Sequence, residues 1–137
     1  MTLVTTSRKA LPEIRALARA FALASRSMFV TRGKMGTGDL FSRDVHIVIF
    51  SQDPRGVRVQ FFSDETLVAD YLIREISTES RAGPAIRGLG TDHPGEFSAI
   101  SGIIRVSGTE KIAGTGTGCI DGPQKIRYRF RIVPYGA

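Results

Sequence analysis

A strand, a helix and a second strand follow one another between Thr2 and Thr31, and this unit restricts the fold more than any other stretch of the chain. Thr2–Thr6 is mostly β-branched, which suits a strand. From about Leu11 to Ser27 the sequence becomes alanine-rich, and Leu11, Ile14, Leu17, Ala18, Phe21 and Ser25 recur at steps of three and four, defining a core-facing side of a helix. Pro12 fits the first turn, where its missing amide hydrogen has no partner to lose. Phe29–Thr31 is extended again. Strands joined by one crossover helix lie parallel and the crossover is right-handed. The predicted fold class is therefore α/β, with the ends of both strands on one side.

The charge of the chain is concentrated in this same unit. Arg8, Lys9, Arg15, Arg19, Arg26, Arg32 and Lys34 stand against Glu13 alone between Val4 and Met35, so seven minus one is +6, the net charge of the whole chain. The remaining twelve basic and twelve acidic residues cancel (19 − 7 and 13 − 1). A segregated positive field is the electrostatic footprint of a protein that meets a polyanion. At about 100° per residue, Arg15, Arg19 and Arg26 fall within about 40° of one another on the helix. The hydroxyls of Thr5, Thr6 and Ser7 precede the helix, whose first amides lack internal partners and attract anions, with Arg8 and Lys9 beside them. Parallel pairing brings Arg32 and Lys34, beyond the second strand, toward Arg8 and Lys9. Without that one-sided charge the same helix would read as an ordinary solvated amphipathic one.

The later sequence reads mainly as strands. Gly33, Gly36 and Gly38 resemble a phosphate loop, but Lys34 precedes the later glycines and no Gly-Lys-Ser or Gly-Lys-Thr follows, so a turn into a short helix over Asp39–Arg43 is expected. Val45–Phe50 and Val57–Phe62 form a hairpin across Ser51–Gly56. Thr66–Ser77 begins like a helix at Ser63-Asp64-Glu65, yet its β-branching favours a strand. The glycines and prolines of 81–95 predict a loop with one helical turn near Ala85, in which Arg81 and Arg87 lie. Ile103–Ile112 and Lys125–Val133 read as closing strands around a hairpin loop at 114–122, whose Gly-Thr-Gly-Thr-Gly lacks the spacing and following helix of a dinucleotide fingerprint. Along the last strand Ile126, Tyr128, Phe130 and Ile132 face one way, and Lys125, Arg127, Arg129 and Arg131 the other. Such a row is either an edge strand protected by charge or a second line for phosphates.

Three of these stretches together resemble a known family. Thr-Thr-Ser-Arg-Lys at 5–9, the arginine-dotted helix, and Arg-Gly-Lys-Met at 32–35 resemble the opening of Brix-domain proteins, most closely the short archaeal ones. Val-His-Ile-Val-Ile-Phe with the turn Ser-Gln-Asp-Pro-Arg-Gly, the following Val-Arg-Val-Gln-Phe-Phe, and the closing Lys-Ile-Arg-Tyr-Arg-Phe-Arg-Ile fit the same resemblance, while Ser77–Ser101 lies outside it. The resemblance implies a single domain over 1–137 of two similar strand-helix-strand halves, 1–62 and 63–137, related to the anticodon-binding domain of class IIa aminoacyl-tRNA synthetases. It also implies ribosome biogenesis through binding of ribosomal RNA or its precursor, with other ribosome-assembly proteins as partners.

Other chemistries find less support. One cysteine, Cys119, forbids an internal disulfide, and a catalytic thiol would want a base nearby. His46 and His93 lack metal-ligand spacing, and Asp92-His93, adjacent in sequence, is not expected to face itself. The expectation is a non-enzymatic protein without cofactor or metal. With no signal peptide or apolar run near 18 residues, it reads as cytoplasmic and not a membrane protein. The candidate RNA-binding residues are Thr5, Thr6, Ser7, Arg8, Lys9, Arg15, Arg19, Arg26, Arg32, Lys34, Lys125, Arg127, Arg129 and Arg131. The same charge would serve a generic nucleic-acid-binding or transfer-RNA-binding module. Few aromatic residues interleave with the cations, so folded RNA is expected over an unstructured strand.

Overall fold

The computed structural model describes residues 2–109 and 117–136. The chain opens with β1 (Thr2–Thr6), α1 (Pro12–Ala24), β2 (Met28–Phe29) and the short α2 (Thr37–Phe41). Strands β3 (His46–Asp53), β4 (Gly56–Ser63) and β5 (Thr66–Ser80) follow, then β6 (Leu89–Thr91), β7 (Val106–Gly108), β8 (Thr117–Asp121) and β9 (Ile126–Pro134). Among the described residues they form one mixed sheet in the order β2-β1-β3-β4-β5-β9-β8-β6-β7.

The expected parallel pair is present: Leu3 lies opposite Met28 and Val4 opposite Phe29. β1 also runs parallel to β3 along its whole length, from Thr2 opposite His46 to Thr6 opposite Phe50. Alternation along these strands sends Val4, Val48 and Phe50 to one face, against α1, and Leu3, Ile47 and Ile49 to the other, where Leu40 of α2 covers them. Two-residue turns join β3 to β4 and β4 to β5. In the second, Asp64 and Glu65 both adopt left-handed φ (50° and 66°), the backbone that matches the twist of a hairpin, so the apparent helix start is a turn.

α1 touches β1, β2 and β3 and also β8. β8 is five strands from β1 in the sheet order, roughly 24 Å across a flat sheet at ~4.8 Å per strand, whereas a helix with its side chains is only about 10–12 Å wide. The sheet must therefore curl around the helix. β5 makes the bend: it pairs with β4 up to Ile73 and with β9 from Tyr71 onward. Its register slips between Arg74 and Ser77, where Glu75 turns left-handed at φ 54°. Inside the curl Phe21 of α1 meets the rings of Phe50 and Phe61 edge-on at 5.3 and 6.2 Å, and Phe61 meets Tyr71 at 5.9 Å.

Several expectations need correction. α1 stops at Ala24, and Leu11 caps it from an exposed position instead of joining the core face; Ala20, Ala22 and Ala24 are buried in addition because β8 encloses the helix from a second side. Helix α2 starts two residues early, and β2 holds only Met28 and Phe29. No helical turn forms at Ala85, while the loop at 81–95 contains β6 and leads into 3-10 turns over Pro94–Ile100. β7 is a three-residue strand: of the strand expected over Ile103–Ile112, Ile103 and Ile104 instead lie in a turn with their amides on Ile100 O, residues 110–112 lie outside the described residues, and so does the first part of the loop at 114–122. The latter part of that loop is β8, where a Cβ at Gly118 would come within 2.9 Å of Phe130, so glycine serves close strand packing there. β9 lies between β5 and β8 and is not an edge strand.

Phe61 is 1% exposed at the centre of this aromatic chain. Phe61→Ala is expected to cost about 3–5 kcal/mol of unfolding free energy, measured from urea midpoints. A loss below about 1 kcal/mol would show that the curl does not depend on this contact.

Candidate nucleic-acid interface

Two of the opening cations, Arg8 and Arg32, meet where β1 and β2 end. β1 is continued on its β2 side by Val30, whose amide donates to Val4 O at 2.9 Å, and the Thr5 hydroxyl donates back to Val30 O at 2.6 Å. The chain beyond β2 is thus held against the exit of β1. Arg32 donates from Nε to Met35 O at 2.9 Å and from Nη1 toward Thr6 O at 3.5 Å, and Arg8 donates from Nη2 to Lys34 O at 3.2 Å. Burial first, and the charge of Arg8 second, hold the Arg32 guanidinium below its ordinary pKa. Two guanidiniums therefore share one corner, with exposed Lys9 and Lys34 at its sides. Among the described residues no ion pair joins any of the seven opening cations to a carboxylate.

The neighbouring hydroxyls and amides do different work from that expected. Thr5 and Thr6 are buried; Thr6 donates to Ser7 O, and the Ser7 amide donates to Phe50 O. They brace the corner from inside. At the helix start the Leu11 amide donates to Gln52 Oε1, those of Ile14 and Arg15 donate to Leu11 O, and Pro12 has none. The expected row of free amides is therefore absent, and the Glu13 side chain stands in that first turn. Arg15 and Arg19 are exposed on α1, with the Arg19 guanidinium 5.0 Å from the Phe29 ring centre. Arg26 lies beyond the helix with left-handed φ, so the helical period does not place it in their row.

The basic row of β9 is largely neutralised. Arg127 donates from Nε and Nη2 to the two carboxylate oxygens of Asp121, at 2.6 and 3.0 Å, and Arg129 pairs with Glu79. Lys125 and Arg131 are exposed. A continuous line of four free cations is thus ruled out by the acids that β8 and β5 place beside it. Burial pushes the fully enclosed Asp121 carboxyl upward, but the Arg127 hydrogen bond, the Ile86 amide and the charges of Arg127 and Arg81 together bring it below the ordinary aspartate value. A carboxyl with a depressed folded pKa stabilises the fold above its unfolded pKa of about 3.9, and this contribution is lost as pH falls through the folded value. The difference in urea midpoint between the wild type and Asp121→Asn should therefore stay constant above about pH 5 and shrink on acidification. A constant difference down to the acid limit would remove Asp121 as the anchor.

Comparison with known proteins follows this geometry. No family model matches the chain, and no curated protein matches it in sequence. Among solved structures it is similar to that of Mil, an archaeal Imp4-like protein, with TM-score 0.69 and 16% identity over 98% of this chain and 99% of the other. The chain has that protein's fold. A probable ribosomal biogenesis protein from Aeropyrum pernix K1 is likewise similar, with TM-score 0.67 and 16% identity over 99% and 97% of the two chains.

Against expectation, Asp92 and His93 do face each other, Asp92 Oδ1 and His93 Nδ1 lying 3.0 Å apart, and the His93 amide donates to Thr91 Oγ1 at 3.2 Å. Cys119 is buried in β8, and burial pushes its thiol above the ordinary value, with smaller opposing effects from Arg127 and Asp121, so the reactive thiolate is disfavoured. His46 enters β3 as expected, with its Nδ1 buried. Among the described residues no three metal-ligating side chains gather, and no helix is long and apolar enough to cross a membrane. The role of Asp121 as anchor escaped sequence reading because its partners come from residues 86 and 127, and nothing local marks them.

Proposed function

We propose that this chain is an RNA-binding ribosome-biogenesis factor of the Brix family, which binds ribosomal RNA or its precursor and assists its processing and subunit assembly. The observation that carries the proposal is the corner where Arg8 and Arg32 meet on the backbone carbonyls of Lys34, Met35 and Thr6, with no acid paired to either among the described residues. Cations held by backbone carbonyls keep their charge and a fixed direction, which suits phosphate oxygens along a nucleic-acid backbone. The shared fold with a probable ribosomal biogenesis protein supplies the biological direction. The parallel pairs at both ends of the sheet, β1 with β2 and β6 with β7, are compatible with two related halves. Arg15 and Arg19 lengthen the positive surface along α1.

Crosslinking followed by sequencing of the bound RNA tests the reading. Ribosomal precursor is the expected catch, and recovery of transfer RNA alone would favour an anticodon-type module. With about five phosphates neutralised, log affinity for a precursor fragment should fall with log salt at a slope of about −4 to −5. Arg8→Ala with Lys9→Ala should weaken binding about tenfold and change stability by only about 0.5–1 kcal/mol per site. Arg55 and Arg58 make a poor control, since Asp53 and Asp70 hold them and both stack on Tyr135. Exposed Arg43 and Arg74 serve instead. If Arg43→Ala with Arg74→Ala weakens binding equally, the site is not localised.

A further inference from the structure

At the other end of α1 the structure holds a second cationic feature of a different shape. A cavity of about 490 Å³ opens between the end of the helix, the segment 81–87 and the turn joining β8 to β9. Three arginines line it, Arg26 at the helix end and Arg81 and Arg87 from the one segment 81–87. Asp121 beside them is enclosed and bonded to Arg127 and the Ile86 amide; its single charge also acts on Arg81, so it offsets the three arginines only in part. Arg81 makes no ion pair at contact distance among the described residues, and its Nη1 reaches Gly122 O only at 3.5 Å. The mouth also carries apolar surface from Leu23, which is 58% exposed, and from Pro123.

The backbone holds this rim in uncommon conformations. Arg26, Gln124 and Lys125 have φ of 53°, 57° and 59°, and non-glycine residues in that region gather where function demands a fixed direction. The Gly88 amide donates to Ala24 O at 2.7 Å and ties the segment carrying Arg87 to the end of the helix. Concave walls concentrate the field of the three guanidiniums.

Resting on the RNA-binding reading above, we propose that this cleft receives one unpaired nucleotide of the bound RNA, a bulged or terminal residue, with its phosphate on Arg26, Arg81 and Arg87 and its base against Leu23 and Pro123. The cavity is of small-molecule size, too small to admit a duplex but adequate for a single nucleotide. The corner at the other end of α1 is an open surface suited to a backbone. The two would read different features of one folded RNA.

The test compares an RNA hairpin bearing a one-nucleotide bulge with the same hairpin fully paired, at one salt concentration. The wild type should bind the bulged form about tenfold more tightly. Arg81→Gln with Arg87→Gln should erase that preference and leave the paired hairpin within about twofold. Arg8→Ala with Lys9→Ala should weaken both hairpins and keep the ratio. Should the cleft variant lose both hairpins equally, or leave the preference intact, the cleft is not a nucleotide site although RNA binding stands. Absence of binding to either hairpin by the wild type overturns the RNA reading and the cleft with it. Uridine monophosphate supplies a further arm: if it binds the wild type as tightly as the bulged hairpin does, the occupant is a free nucleotide and the RNA form of the proposal fails. Melting curves establish that each variant is folded, and Arg26→Gln, which alters the cleft from the helix end, should reproduce the loss of preference.

Discussion

Enclosure of α1 by the curled sheet is the constraint on which the rest of the structure depends. Phe21 lies against Phe50 and Phe61 on one side, and on another the helix is so close to the β8–β9 turn that a Cβ at Gly122 would stand 3.0 Å from that of Ala20. A bulky residue at 20 or a side chain at 122 would push the two apart. The alternating alanines at 18, 20, 22 and 24, all buried, permit this two-sided approach. Small side chains bury little area each, so the helix relies on Ile14, Leu17 and Phe21 for most of its apolar burial and on alanine for fit.

Charge follows the same division. Acids lie beside the arginines that pack within the sheet: Asp70 beside Arg58, Asp121 beside Arg127 and Glu79 beside Arg129. A charge withdrawn from water needs such a partner. The cations around α1 are tied instead to carbonyl oxygens or left in solvent. Carbonyl acceptors orient a guanidinium without neutralising it, so this end of the molecule keeps a net field while the rest is internally balanced.

What could be read in the sequence was what depends on neighbours in the chain. The strand-helix-strand opening, the hairpin of β3 and β4 and the extended character of β5 follow from local periodicity, and so did the meeting of Arg8 with Lys34, because parallel pairing dictates it. β6 and β8 were hidden by glycine, which marks loops by habit but here admits Cys119 and Phe130 at distances no Cβ would allow. The basic row of β9 was legible as alternation but left open between an edge strand and a phosphate line, since strand order is set by contacts remote in sequence. The acids that neutralise Arg127 and Arg129 come from β8 and β5, and pattern within β9 could not disclose them.

Because α1 is locked on two sides, whatever stands at its ends stands at fixed separation. Its 13 residues span about 20 Å, from the corner holding Arg8 and Arg32 to the cleft holding Arg26 and Arg87. Exposed Arg15 and Arg19 occupy the interval. A flexible basic tail would gain affinity by adapting to any polyanion and would pay for it in ordering entropy. Cations mounted on a rigid element avoid that loss only for a ligand whose phosphates already have the matching spacing. The rigidity that the buried face of α1 confers therefore also fixes the spacing of the cations on its exposed face and at its ends.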